Sequence, residues 1–263
     1  MKFFEKESIL SVIYSFASLI VLWLVWEILA YDGEGLARIL PPPSQFIGSA
    51  FSSNFNIGIG SQSMSIGLSI LSSIYRVMAG LIIAFGLSIL VGVLISNSII
   101  IKRILMPVVR LFAPIAPIAW VPIALVIFGI GNFTAIFIVI MGVFFTLTIA
   151  TIQAIDEVPD EIISSAKTLG ASKYQIISRV VVPYIMPSIF LSLRLNFIAA
   201  WMAVLAAEMT GLRDGLGAII MVGRNLFNYD LILMGMFLIG VVGFLTDVSL
   251  RNIQEKYFWW SKK

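Results

Sequence analysis

Three carboxylates, Glu157, Asp160 and Glu161, cluster in the stretch "IDEVPDE", and a membrane enzyme would need such a cluster for acid–base work or metal ligation. A helix start explains them equally well. Asp160 and Glu161 follow Pro159 in what reads as a first turn, where negative charge meets the positive end of the helix dipole. The chain has no Cys and no His, which removes disulfides, thiolate nucleophiles, thiolate metal sites and the commonest metal ligand and general base. No G-x-x-x-x-G-K-[ST] phosphate loop occurs, so an ATP site built on that motif must belong to another chain. The residue types present do not point to catalysis, and neither a cofactor nor a metal is expected in this chain.

Composition says what the elements are. Of the 263 residues, 60% are hydrophobic and 12% charged, and the mean hydropathy is +1.04. That leaves too little polar surface to cover a soluble globule, while apolar runs long enough to cross about 30 Å of hydrocarbon recur. The fold class is therefore an all-α polytopic membrane protein. Six spans are expected, at about 9–30, 66–95, 104–128, 133–152, 184–207 and 231–250. The first is too long for a signal-peptide core and is followed by no small-x-small cleavage site, so it reads as a retained helix.

A net charge of +3 and a pI near 9.2 raise nucleic acid as a partner, but the placement of the cations points to topology instead. With the N-terminus cytoplasmic, Lys2, Lys6, Lys102, Arg103, Lys167, Lys173, Arg179, Arg251, Lys256, Lys262 and Lys263 fall inside. Only Arg38, Arg213 and Arg224 fall outside, and Arg76, Arg110 and Arg194 lie within or near spans. This positive-inside bias predicts a multi-pass membrane protein with both termini cytoplasmic.

The third span, "MPVVRLFAPIAPIAWVPIALVIFGIG", carries Pro107, Pro114, Pro117 and Pro122. Each removes a backbone donor and crowds the preceding turn, which hydrocarbon tolerates only where protein or a wet cavity satisfies the freed groups. The segment is expected in the interior, either as a buried kinked helix or as a broken helix bordering a substrate path. The fifth span places Ala199, Ala203, Ala206 and Ala207 at helical spacing, a stripe that lets membrane helices approach closely. Candidate path residues are Pro117, Trp120, Asn132, Thr146, Asn196 and Glu208, with Thr148 beside them. Trp120 suits apolar gating or plain packing, and Glu208 a structural hydrogen-bonding role at the start of "MTGLRDGLG". Arg110 and Arg194 would attract an anion, or snorkel toward the cytoplasm. Outside the membrane, the triple proline of "LPPPSQ" allows at most a short helix around 44–52.

The polar stretch between the fourth and fifth spans, residues 156–180, is too long for a plain connector. Ile162, Ile163, Ala166 and Leu169 recur on one helical face and Gly170 ends the helix as a C-cap glycine would. Ser172 can cap a second short amphipathic helix, "KYQIISRVVV", that runs to Pro183. Two such helices need a partner to bury their apolar faces, a soluble protein or, failing that, the lipid headgroups.

The spacing here resembles the cytoplasmic loop motif of ATP-binding-cassette importer permeases: Glu-Ala-Ala, three residues, Gly, nine residues, Ile, one residue, Leu-Pro. Ala166, Gly170, Val180, Val182 and Pro183 keep that spacing, with Ser164 in place of the Glu, Ser165 in place of the first Ala, and Val for Ile and Leu. Together with "LPPPSQ", "SILSSIYRVMAGLIIAFGLSILVGVLI", "LFAPIAPIAWVPIALVIFGIG" and "AAEMTGLRDGLG", it resembles the branch serving nitrate, sulfonate, taurine and bicarbonate uptake. The resemblance implies one permease domain over 1–263 and a homodimer of six-helix subunits. It implies a cytoplasmic ATPase dimer, holding ATP and Mg, docked on the 156–180 loop, and an external substrate-binding protein. Ile163, Ala166, Lys167, Leu169, Gly170, Lys173 and Pro183 would then carry ATPase coupling. An ion-coupled secondary transporter or channel is the alternative, although the few intramembrane acids and the lack of an evident repeat speak against it.

Overall fold

The computed structural model describes residues 2–31, 40–52, 56–57 and 64–257. Arg38, Lys262 and Lys263, used in the topology argument, lie outside the described residues. The chain divides into two compact units, Met1–Gly67 with Ile219–Leu238, and Leu68–Ala218 with Ile239–Lys263.

In the first unit, α1 spans Lys2–Tyr31 and α2 spans Pro43–Ser52. Pro43 opens α2 because its fixed φ suits a first helical position and its missing N–H would be unpaired there anyway. Glu27, an acid in the apolar stretch of α1, is satisfied by that same end: the Ser44 N–H donates to Glu27 Oε2 at 3.2 Å, and the Ser44 hydroxyl donates to Oε1. Phe46 is buried between the rings of Trp26 and Phe237, at 5.9 and 6.2 Å. Two strands of two residues each, β1 (Asn56–Ile57) and β2 (Met64–Ser65), pair antiparallel, a ladder too short to alter the all-α class. Helices α10 (Leu216–Asn225) and α11 (Tyr229–Tyr257) contribute residues to both units. The Asn228 side chain accepts from the Leu231 N–H at 3.2 Å and so caps the start of α11.

The second unit is built on α3 (Ile66–Asn97), α6 (Asn132–Asp156) and α9 (Val182–Glu208). Lipid tails are as apolar as leucine, so helices in a bilayer associate through van der Waals fit and polar bonds. The packing shows that fit. Ala200, Ala203, Val204 and Ala207 of α9 are buried, as are Ile138, Val139, Val143 and Leu147 of α6. A Cβ added to Gly142 would lie 3.7 Å from the Ala203 Cβ and 2.8 Å from the Pro117 ring. A Cβ at Gly80 or Gly92 of α3 would come within 2.5 or 2.6 Å of Val139 or Thr151 of α6.

Four described helices are long and apolar enough to cross a membrane, five if a bent pair counts as one span. Three fall close to the expected second, fourth and sixth spans, and the remaining one, Lys173–Glu208, contains the expected fifth but starts well before it. The expected third span is not a single crossing helix. It is α4 (Ile99–Phe112), then a 3₁₀ turn Pro117–Trp120 continuing into α5 (Val121–Phe128), bent by 97°. The residue before a proline is pushed out of the helical region, and Ala116, before Pro117, is extended at φ −60°, ψ 142°. Within one chain the expectation of an interior segment holds for one side of it. Val121 and Ala124 are buried, whereas Ile118, Ile123, Val126 and Ile127 are exposed, so within one chain only one side of this segment is covered.

A second correction concerns the loop after α6. Helix α7 (Asp160–Thr168) is separate, but α8 (Lys173–Ile176) passes through π-helical turns at Ile177–Val181 directly into α9. These segments form one 36-residue helix, Lys173–Glu208. Wider turns just ahead of Pro183 accommodate its missing N–H without ending the helix.

Candidate functional site

Arg76 is buried to 1% exposure about three turns into an apolar helix, and a charge there must be paired. Its Nη1 donates to Glu208 Oε1 at 2.8 Å and to the Asp214 carbonyl at 3.0 Å, its Nη2 to Asp214 Oδ1 at 2.6 Å, and its Nε to Asn132 Oδ1 at 2.8 Å. Glu208, at 0% exposure, is filled further by the Ser73 hydroxyl at 2.7 and 2.9 Å and the Gly217 N–H at 2.9 Å. The Ser73 oxygen in turn accepts from the Leu216 N–H at 2.9 Å, and the Ser72 hydroxyl donates to Asp214 Oδ2 at 2.6 Å.

The knot joins the first turns of α3 to the start of α6, the end of α9 and the 209–216 loop. Gly215 is required in that loop: its φ is +115°, and a Cβ there would run into the Glu208 carboxyl. Partial burial works against the charge of Asp214, but the Ser72 and Arg76 hydrogen bonds and the Arg76 charge outweigh it. They hold the Asp214 carboxyl below the usual carboxylate value.

The structure thus brings two of the sequence-predicted path residues, Asn132 and Glu208, together in a closed hydrogen-bonded cluster. Thr146 and Asn196 meet elsewhere, where the Thr146 hydroxyl donates to Asn196 Oδ1 at 2.7 Å across the α6–α9 contact. The Thr148 hydroxyl bonds back to the Phe144 carbonyl of its own helix at 2.7 Å. Pro117 packs against Gly142. The Trp120 ring lies 5.9 Å from Phe112, which stacks on Phe145 at 5.4 Å, and its indole N–H is buried with no partner among the described residues. Arg194 is paired with Asp247 of α11, Nε to Oδ1 at 3.0 Å. Sequence reading placed Arg76 near a span but did not pair it, and it missed Ser72, Ser73, Asp214 and Asp247. The available signal was a lone cation in each of two apolar helices, which requires a carboxylate somewhere across the bundle.

The loop after α6 is organised by its own packing. Ile163 and Ala166 turn inward onto a buried cluster of Ala154, Val158, Ile176, Val181, Ile185 and Ile189. The helix ends in a Schellman arrangement, with the Gly170 N–H donating to the Lys167 carbonyl at 2.9 Å and the Ala171 N–H to the Ala166 carbonyl at 3.1 Å. Gly170 stands at φ +81°, and a Cβ there would meet nothing within 4 Å. Ser172 and Gln175 form a capping box at the start of α8. The apolar face expected from spacing is therefore split. Ile163 and Ala166 hold the helix to its own chain, while Leu169 at 87% exposure, Tyr174 at 78% and Ile162 remain free, with Lys167, Gly170, Lys173 and Pro183 also exposed.

With that geometry established, known proteins offer comparisons. The profile of the family described as "Binding-protein-dependent transport system inner membrane component" matches residues 84–258. A putative ABC transporter permease protein of Methanocaldococcus jannaschii is 39% identical over 191 residues, covering 72% of each chain. The taurine transport system permease protein of Escherichia coli is 27% identical over 246 residues, covering 94% of this chain and 89% of that one. A nitrate import permease protein of Synechococcus elongatus is 32% identical over 191 residues, covering 72% of this chain and 68% of that one. Among solved structures, an inward-facing crystal form of the MetNI methionine ABC transporter matches with a TM-score of 0.62 at 21% identity, covering 72% of this chain and 94% of that one. At that identity the likeness speaks to the fold.

Proposed function

This chain belongs to the family of binding-protein-dependent transport system inner membrane components, and from that premise we propose that it forms the translocation path of an ATP-driven importer for a small anion of the sulfonate or nitrate class. The observation that carries the proposal is the 156–180 loop: a helix fixed to its own core by Ile163 and Ala166, with Leu169, Tyr174 and the cap at Gly170 left outward. Such a protrusion transmits motion only if it is rigidly attached on one side and recognised on the other, and these are the two faces it has.

In this reading ATP and Mg²⁺ are held by a cytoplasmic ATPase dimer, and the chain itself hydrolyses nothing. Closure of the ATPases displaces α7. Because Ile176 and Val181 of the cluster under α7 lie at the start of the continuous Lys173–Glu208 helix, that displacement reaches the far end of the same helix. There the Arg76–Glu208–Asp214 knot ties it to α3 and α6, so the three helices move together. A second copy of this chain covers the exposed apolar side of α5 and completes the path, and an external binding protein delivers the substrate. The substrate class rests on the taurine and nitrate permeases among the relatives. Both termini are then cytoplasmic, as the placement of lysines and arginines suggests.

Co-purification tests the docking face. Leu169→Asp with Tyr174→Asp leaves the buried cluster untouched and should release the ATPase from the detergent-solubilised complex, while Lys256→Gln should not. An ATPase that remains fully bound to the double variant contradicts this face.

A further inference from the structure

Beneath the coupling loop lies a cavity of about 230 Å³, walled by Val93, Ser96 and Asn97 at the end of α3 and by Ile163, Ile176 and Val181. Lys167 and Lys173, both exposed, also line it. Neither lysine takes part in any of the five ion pairs among the described residues, which are Arg76 with Glu208 and with Asp214, Lys102 with Asp156, Arg194 with Asp247, and Arg251 with Glu255. The acids Asp160 and Glu161 sit at the opposite end of α7 from Lys167, about 10 Å away along the axis at 1.5 Å per residue. The Ser96 hydroxyl on the same wall is buried with no partner among the described residues, and it would donate to an ester or headgroup oxygen, not to an acyl chain. Buried polar groups ordinarily find a partner.

An apolar cavity of about 150 Å³ takes up a benzene-sized guest in preference to water, and this larger one has room for part of an acyl chain. Water gains little from walls that are mostly Val and Ile. Two unpaired ammonium groups beside an apolar hole fit a molecule with an anionic head and a hydrocarbon tail.

We propose that this cavity is a binding site for an anionic phospholipid of the cytoplasmic leaflet, with its phosphate on Lys167 and Lys173 and part of an acyl chain between α3 and the Ile163, Ile176 and Val181 side chains. The lipid would wedge α7 against α3 and make the rigidity of the coupling loop depend on the membrane. The proposal rests on the functional reading only in assigning this end of the bundle to the cytoplasmic leaflet. The binding test needs no ATPase, so the two can fail separately.

Native mass spectrometry of the full chain released from micelles containing phosphatidylglycerol, phosphatidylethanolamine or both reads the site directly. Two lysines at an anionic headgroup give roughly a 30-fold preference for phosphatidylglycerol. Lys167→Gln with Lys173→Gln should remove most of it, Val93→Trp should lower retention by filling the cavity, and Lys256→Gln should change nothing. Both charge variants replace exposed side chains, so folding is preserved and is checked by elution as a single species. Equal retention by the double-lysine variant and the wild type overturns the proposal. So does displacement of phosphatidylglycerol by an equal concentration of glycerol phosphate, which would show a headgroup site with no bound chain. Loss of the lipid from the chain once the ATPase is docked would assign the lysines to a protein partner and overturn it as well.

Discussion

Removing the Arg76 side chain should destabilise the protein more than any surface change, and the size follows from what is left behind. Arg76→Leu deletes four hydrogen bonds, to Asn132, Glu208 and both the side chain and backbone of Asp214. It leaves the fully buried Glu208 with only Ser73 and Gly217 as donors. Breaking a buried ion pair from one side costs about 3–5 kcal/mol, because the remaining charge is uncompensated. At roughly 2–4 °C per kcal/mol for a chain of this size, the melting temperature should fall by about 6–20 °C. Glu208→Gln in the same background removes the stranded charge but keeps the shape, so the double variant should be more stable than Arg76→Leu alone, recovering about 1–3 kcal/mol. The assay is thermal unfolding of the purified chain in nanodiscs, followed by the fraction that elutes as a single species after heating. A melting temperature for Arg76→Leu within about 2 °C of wild type, or a double variant less stable than the single, would refute the claim that this cluster is a closed structural knot.

Further outcomes follow from the same geometry. Gly170→Asn, which tolerates a left-handed backbone, should leave the melting temperature unchanged yet lower ATPase coupling, because the space beyond its Cβ is empty in this chain and the proposed function puts the partner there. Gly170→Val adds a backbone cost of about 1–2 kcal/mol, and equal coupling by wild type and Asn variant in an ATPase assay would show that nothing contacts this turn. Gly80→Val should cost about 1–3 kcal/mol by overpacking against Val139, read by the same melting assay. The carboxyl of Asp214 titrates below its ordinary value of about 4. Its pairing therefore stabilises the fold above about pH 4 and is lost as pH falls through the lowered value, so Asp214→Asn should flatten the acid limb of a melting-temperature-against-pH curve.

Hydrophobic run length located the second, fourth and sixth spans closely, because membrane crossing demands a fixed length of apolar helix. The C-cap at Gly170 was equally legible, since it depends on local backbone rules, and the short helix expected around 44–52 was nearly so, although Pro43 opens it instead of standing outside it. The four prolines of 104–128 announced lost hydrogen bonds but not their geometric result. The 97° turn depends on Ala116 becoming extended while the Pro117 ring settles on Gly142. Pro183 misled in the other direction, since π-helical turns absorb it and α8 runs on into α9. The Arg76 knot was only half visible: Glu208 stood out as a costly acid with a structural task, but its partners come from residues 72–76, 214 and 217, and no local pattern links positions so far apart. For the same reason, spacing put Ile163 and Leu169 on one docking face, and only tertiary packing showed that the first is turned inward and the second outward.

The central claim is that this chain converts ATPase closure into transport of a substrate handed over by a binding protein, through the loop capped at Gly170. It is tested most directly by the ATPase rate of the complete complex in nanodiscs, with and without the liganded binding protein, for wild type and Gly170→Glu. The account predicts stimulation by the liganded binding protein in the wild type and its loss in the variant, with the complex still assembled around the intact Arg76 knot. A chain that is stable alone and co-purifies with no ATPase, or a variant stimulated as strongly as the wild type, would contradict it.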